Sequence, residues 1–555
     1  MTDSSRRPVD DSTDRVVTRR AALQLAGLFG LGAALSPVLV ACAGATGPTS
    51  GSGAGSSGSA QPGGAASGTG GASGAASTLT LAFNRSLVSL DNKLNQFDAQ
   101  VTVQRAVRQA LTKIGPKLTP ELVLAESFTA TTPTEWTVKL RKDIHYSDNS
   151  PVTVEDVQTA LEMYFKVTGG YVASQFPEQP TFTKVDDSTF TLTTKDPVVT
   201  LDSLMSNILI SPAKANQPKE LVTGIGTGPY KIKSADSGTG RYTLVANENY
   251  WGPDKAHLQQ VQVEFLPEES ARVIAIRKGE VDVIDTITPD SAKQLKSVDG
   301  VDVIETSGTR ITQLFYNFWK TTGPLTDPKV REALSHAIDG KSLLSNLMSG
   351  LAEQCDGVVP ATLAGYVKTG SYTYDPAKAK SMLAAAGASN LSIKFIWESG
   401  EFAGDAAVME AIVEMLKDVG VTATLKEFQP GGDIGTWRRG EGGDWDVLAN
   451  GYGNQTGLAL TNLRGMYAGT AAKQKTHDTY QGYFQQDITD TLTQAGAESD
   501  RTKRLELLKK AQQDIWATWP CMWAFATKNL LAKRTRVKDL DLIAINSYDL
   551  ASVTI

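Results

Sequence analysis

Tyr146-Ser-Asp-Asn-Ser-Pro-Val-Thr-Val-Glu-Asp-Val157 runs from a polar, proline-containing stretch into the start of a helix. Thr153 is placed to cap that helix. Glu155 and Asp156 fall in its first turn, where carboxylates meet the positive end of the helix dipole. Just upstream, Thr134-Glu-Trp-Thr-Val-Lys-Leu-Arg141 sets Trp136, Val138 and Leu140 on one face at period two, the pattern of a half-buried strand. Thr189–Thr193 and Tyr242–Ala246 repeat it downstream. Further helices are punctuated in the same way. Asp327-Pro328 and Asp375-Pro376 are cap-plus-proline starts, and the second helix runs to Gly387. A helix is expected over Phe402–Val419 with Ala407, Ile412, Met415 and Leu416 inward, and a long one over Arg501–Thr518. No repeat period is present. The expectation is an α/β chain with mixed sheets and no single βαβ array.

The N-terminus carries a different kind of signal. Behind Thr18-Arg19-Arg20, an apolar run rich in Ala, Leu and Gly ends at Leu39-Val40-Ala41-Cys42. A charged start, a short apolar core and a small-residue cleavage site mark a secretory signal. The terminal cysteine resembles a bacterial lipobox, which implies lipidation of Cys42 and removal of residues 1–41. Gly27, Gly30, Gly32 and Pro37 make the run a poor membrane helix. The twin arginines suit folded-protein export, but Ala22 stands where that signal carries Phe, so the general route stays open. Lipid stabilises anchoring by ~0.8 kcal/mol per buried methylene. Residues 42–77 follow as a disordered Gly/Ser/Ala linker, too poor in apolar groups to offset the entropy of ordering. Its r.m.s. reach is roughly 30–35 Å.

The 478 residues from 78 to 555 exceed one core, so two or three lobes are expected. Without the leader the chain has 49 basic and 56 acidic groups, and no basic stripe with interleaved aromatics points to nucleic acid. His145, His257, His336 and His477 are scattered, with no HExxH, so no metal site is expected. No Gly-x-Ser-x-Gly elbow is present, and Gly224-Ile-Gly-Thr-Gly-Pro229 lacks the Lys-Ser/Thr of a phosphate loop. No cofactor is expected, and binding is favoured over catalysis. Cys355 and Cys521 form either a disulfide, worth ~5 kcal/mol in the chain-entropy model, or two buried free thiols.

Several segments then fall in one order. Ser89-Leu90-Asp91, Pro120–Ser127, Tyr146–Val157, Gly226-Thr-Gly-Pro-Tyr230, Asn249-Tyr-Trp-Gly252, Gly279-Glu-Val-Asp-Val283, Leu325–Leu334 with Ala337-Ile-Asp339, and Asp375–Gly387 span the whole body. Together they resemble the extracytoplasmic solute-binding proteins of ABC importers, in the oligopeptide, dipeptide and nickel-binding group (solute-binding protein family 5). Most of these motifs read as structural. Thr227-Gly228-Pro229-Tyr230 suits a tight turn before a strand, with Gly228 free to take positive φ and Pro229 fixing the next residue, and Tyr250 and Trp251 read as core aromatics.

The resemblance implies a two-lobed periplasmic-binding-protein-like fold of type II, in the large cluster with an extra subdomain, closing on a hinge. Residues 78–308, completed by 528–555, would form lobe I with that subdomain, and 309–527 lobe II. The partners implied are a peptide-like or other small polar solute, and the permease and ATPase subunits. The protein would be a monomer at the outer face of the cell membrane. A lipid-anchored hydrolase, or a receptor-fold protein used in signalling, remains the alternative.

Peptide-binding relatives hold the ligand amine with an Asp in a stretch like Gly-Trp-x-x-Asp. In Asp446-Val-Leu-Ala-Asn-Gly-Tyr-Gly-Asn-Gln-Thr-Gly457, Gln455 stands at that place. The resemblance therefore implies a neutral or anionic solute, or a modified peptide. Asn454 and Gln455 would hydrogen-bond it and Tyr452 pack on it. Trp397 and Phe428 are candidate walls, with ordinary core packing the alternative for all three aromatics. Arg438-Arg439 either hold a carboxylate or form a solvated helix face.

Overall fold

The computed structural model describes residues 77–555, apart from 86–92, 94–97, 168–169, 214–223, 237, 403 and 430–431. The leader, Cys42 and the linker up to residue 76 lie outside the described residues. Among those described, no helix is long and apolar enough to cross a membrane.

The local signals around Tyr146–Val157 are met. The helix Val154–Phe165 begins at Thr153, whose hydroxyl accepts from Asp156 N at 3.3 Å, while Asp156 Oδ2 accepts from Thr153 N at 2.9 Å. The second Asp156 oxygen accepts from Ala213 N at 2.6 Å, so the cap also ties down a distant loop. In the Glu135–Leu140 strand, Trp136, Val138 and Leu140 alternate into a core. That strand belongs to an antiparallel four-stranded sheet in the order Ala125–Thr132, Glu135–Leu140, Thr189–Thr193, Thr181–Lys184. With the Val154–Phe165 helix it encloses a core of its own, from Leu111 to Ile210.

An eleven-stranded mixed sheet carries the rest. At one side, Ser392–Glu398 pairs in parallel with both Thr422–Phe428 and Val447–Tyr452. At the other, Thr78–Phe83 pairs in parallel with Gln260–Phe265 and Val283–Asp285. Two long antiparallel strands, Val301–Tyr316 and Cys521–Arg534, join the sides. Their halves belong to different cores. Ile311, Phe315 and Phe525 pack into the largest one, whereas Val301, Leu530 and Ala532 pack on the opposite side with Ala82 and Ile284. Where the strands pass between cores their register slips: Ser307 faces Lys528 but Ile311 faces Ala526. Gly308, Thr309 and Arg310 therefore oppose Thr527 alone, a bulge that bends the ladder there.

Two local expectations are corrected. The helix expected from Phe402 is Asp405–Asp418, preceded by Gly404 at φ 76°. Its inward face is Asp405, Val408, Met409, Ile412 and Leu416, three or four residues apart, and Ala407 falls off that stripe and is exposed. Gly228 does not take the positive φ expected of it, and neither does Gly226 beside it. Each is instead pressed against main chain: a Cβ on Gly226 would overlap the Val107 carbonyl oxygen, and one on Gly228 would lie 2.8 Å from the Ala106 carbonyl carbon. Trp251 Nε1 donates to Thr227 O at 3.1 Å, and Tyr250 Oη accepts from Gln109 Nε2 at 3.0 Å, so these aromatics clamp the same contact. Asp327 and Asp375 cap their helices as expected, accepting from Lys329 N and Lys378 N.

Candidate functional site: a cavity at the strand crossover

A cavity of about 480 Å³ opens where the two long strands change core. The bulge supplies Thr309 and Arg310, and the facing strand supplies Thr527, Lys528 and Asn529. Tyr171 enters from the side of the four-stranded sheet, and its hydroxyl lies 3.4 Å from Gly453 O. The C-terminal segment closes another side. Its Ala544 carbonyl accepts from Thr309 N at 3.2 Å and Asn529 Nδ2 at 2.9 Å, bracing both long strands at the bulge.

The dominant electrostatic feature is an ion pair. Glu401, in the loop after the Ser392–Glu398 strand, accepts from Arg310 Nη2. Its side chain is only 13% exposed. Burial pushes the Glu401 carboxyl above its ordinary pKa, against the opposing pull of Arg310 and of a hydrogen bond from the Gly451 backbone. Asp405 fixes the loop by accepting from Gly400 N and Glu401 N at 2.8 and 3.2 Å. Beneath the pair, Asn450 Nδ2 donates to Tyr480 Oη at 3.0 Å, and Arg438 Nη1 reaches Asn450 Oδ1 at 3.5 Å. Arg439 instead pairs with Glu441 at 3.1 Å.

The residues expected at a binding site divide. Gln455 is half-buried on the cavity wall. Asn454 also borders the cavity, but its side chain is fully engaged. Nδ2 donates to Leu458 O at 2.7 Å and Asn462 Oδ1 at 2.5 Å, and Oδ1 accepts from Thr456 N and Gly457 N at 2.8 and 2.9 Å. It shapes the loop and has no capacity left for a solute; its backbone carbonyl takes the Thr309 hydroxyl at 2.7 Å. Tyr452 is turned away from the cavity wall, against Tyr480 and the backbone of Gly465, where a Cβ would overlap its hydroxyl. Burial pushes the Tyr452 hydroxyl up to about 12.

Trp397 and Phe428 do not line the cavity. Trp397 is buried in the largest core, because the alternation that puts Ile396 on one face of its strand puts Phe395 and Trp397 on the other. Phe428 closes a small cluster with Ile396, Trp445 and Leu448, edge-on to Trp437 at 5.1 Å. Cys355 and Cys521 are free buried thiols and form no bridge. Cys521 Sγ lies 3.0 Å from the Tyr372 hydroxyl, and burial pushes that thiol up to about 12. Sequence reasoning missed Arg310 and Glu401. The available signal was a lone arginine before the uncharged run Ile311–Tyr316, and an acid directly after Gly400 beyond a strand.

A family model described as bacterial extracellular solute-binding proteins, family 5 Middle, matches residues 119–474. The chain is 25% identical over 416 residues to the probable D,D-dipeptide-binding periplasmic protein of Escherichia coli K12, covering 73% of this chain and 78% of that one. It is 25% identical over 460 residues to the glutathione-binding protein of the same strain, covering 80% and 88%. A putative peptide binding protein from Clostridium difficile superposes with a TM-score of 0.76 at 19% identity, over 86% of this chain and all of that one. With its mixed sheets, paired long strands and cavity at their crossover, the chain belongs to the bacterial extracellular solute-binding proteins of family 5, the substrate-binding components of ABC importers.

Proposed function

We propose that the protein encloses a small peptide-like or other polar solute in the crossover cavity and hands it to a membrane permease. Residues 78–308 with 528–555 form one lobe and 309–527 the other, hinged at the bulge over Gly308–Arg310. The observation that carries the reading is the cavity itself. Its size lies within the usual range of about 300–1,000 Å³ for small-ligand sites, and its polar groups come from elements packed into different cores. Closure around solute would then present one surface to the permease. Lipid on Cys42 would hold a monomer at the outer membrane face on its Gly/Ser/Ala tether, and ATP hydrolysis belongs to other subunits. The protein releases its solute unchanged.

The dipeptide- and glutathione-binding relatives support a peptide-like solute. Gln455 argues against a free ammonium held at that position, and the cavity's acid, Glu401, is already paired with Arg310. Gln455→Asp is expected to strengthen binding of Ala-Ala with a free amine by about tenfold, some 1.4 kcal/mol, with little effect on N-acetyl-Ala-Ala. Calorimetry on both peptides checks it, and equal effects on the two would remove Gln455 from the amine position. The function itself is tested by native mass spectrometry of protein purified without refolding, paired with small-angle scattering. A retained solute, and compaction when it is added back, are the expected results. A chemically altered solute, or profiles indifferent to every peptide tried, would overturn the reading.

A further inference from the structure

We propose that Arg310 is the carboxylate anchor of this cavity and that Glu401 positions it, so that the solute carries a free carboxylate. The inference rests on the solute-binding reading and specifies its chemistry.

Arg310 lies in the part of the bulge that lacks a ladder partner, and its side chain is 42% exposed on the cavity wall. A guanidinium has five N–H donors in a fixed planar fork. Among the described residues, Glu401 is its hydrogen-bond partner, through Nη2. Glu401 is buried and further held by the Gly451 backbone, so it fixes one corner of the fork. Gly451 fixes the plane: a Cβ there would lie 2.5 Å from both Nε and Cζ of Arg310, so the guanidinium rests against bare main chain. An arginine held at one corner, with donors left over beside a cavity, is prepared for a planar, two-oxygen acceptor.

The surroundings favour an anion. Among the described residues of the wall, Lys528 is the other cation, 3.9 Å from Glu353, and Glu401 is the one acid. Lys528 is thus compensated from outside the wall, and Arg310 is the cation that faces the cavity with donors to spare. A single presented guanidinium suits a carboxylate better than a phosphate, which takes several cations or a run of backbone N–H groups.

The test compares N-acetyl-Ala-Ala, its C-terminal amide and inorganic phosphate on the full mature chain by calorimetry. The variant is Arg310→Gln with Glu401→Gln, which exchanges the ion pair for a neutral pair and leaves no lone buried charge. The wild type is expected to prefer the free carboxylate over the amide by about tenfold or more. In the double variant that preference is expected to vanish, with the unfolding midpoint showing that the fold survives. A preference that survives the double change overturns the proposal. So does phosphate binding as tight as the peptide carboxylate, or wild-type protein that retains a co-purified solute yet binds the amide as well as the acid. Solute retained equally by wild type and double variant removes the Arg310 anchor and leaves the receptor reading intact. Wild-type protein that neither retains a solute nor binds any probe at millimolar concentration overturns both.

Discussion

Gly226→Ala is expected to cost about 3 kcal/mol or more, enough to leave much of the protein unfolded at growth temperature. The new methyl group would overlap the Val107 carbonyl oxygen and lie 2.7 Å from the carbonyl carbon. Neither side is free to retreat. Gly228 N donates to that same Val107 oxygen at 2.9 Å, and Gly226 O accepts from Ser147 N at 2.9 Å. Thr227 between them is fully buried, and Asn247 Nδ2 holds Gly228 O at 2.9 Å. The cost arises from overlap of backbone with backbone, which rotamer changes cannot relieve. Gly323→Ala is the informative control. Gly323 has φ 100° with nothing within 4 Å of a Cβ, so strain alone acts there, on the order of 1–3 kcal/mol. Urea unfolding of the two variants checks the ordering, and an equal or smaller loss at Gly226 would refute the close-contact account.

Arg331→Ala is expected to cost about 3–5 kcal/mol, by leaving buried acceptors without donors and opening a cavity. Arg331 is 4% exposed, and among the described residues its guanidinium donates to backbone carbonyls. Its Nε donates to Thr518 O and Trp519 O at 3.0 Å, Nη1 to Leu325 O at 2.7 Å and Nη2 to Thr518 O at 2.5 Å. The guanidinium also sits 5.1 Å over the Phe318 ring. Burial pulls its pKa below the ordinary arginine value, yet the carbonyls keep the charge in place. The side chain thus fastens the Pro328–His336 helix to the turn after Arg501–Ala517, where Trp519 is held at φ 46°. Arg331→Lys is expected to recover only part of the loss, because one ammonium cannot span three carbonyls. Thermal and urea melts measure both variants, and a Lys variant as stable as wild type would refute the fork argument.

These two residues show which parts of the chain can be read without coordinates. Gly226 and Arg331 both lie in segments that carry the family resemblance, so their presence was legible while their reasons were not. Positive φ was the role expected of its neighbour Gly228, which the structure does not give it, and the close approach of Gly226 to Val107 comes from a helix more than a hundred residues away. The Asp405–Asp418 helix teaches the same lesson in miniature. Its period put Ile412 and Leu416 inward, as they are, but Ala407 stands five residues before Ile412, off the buried stripe, and its start was set by the left-handed turn at Gly404.

Of the residues singled out in the sequence, Gln455 falls on the cavity wall, at the place in its loop that the resemblance implies. Asn454 borders the cavity, whereas Trp397, Phe428 and Tyr452 lie away from its wall. Asn454 is saturated by its own loop, and the three aromatics are taken up by core faces. Arg310 and Glu401 are 91 residues apart and meet only because one stands in a bulge and the other follows a strand two places away in the same sheet, across Val447–Tyr452.

The amino-acid sequence by itself determined the α/β alternation, the helix caps at Thr153, Asp327 and Asp375, and the membership of a solute-binding family. All of these rest on interactions within a few residues or on motif order. Only the tertiary structure decided where the cavity lies, which charges face it, and why Gly226 tolerates no side chain. Those features depend on distant segments brought into contact, and a face of a strand or helix has no assigned neighbour until the sheet and its packed layers are assembled.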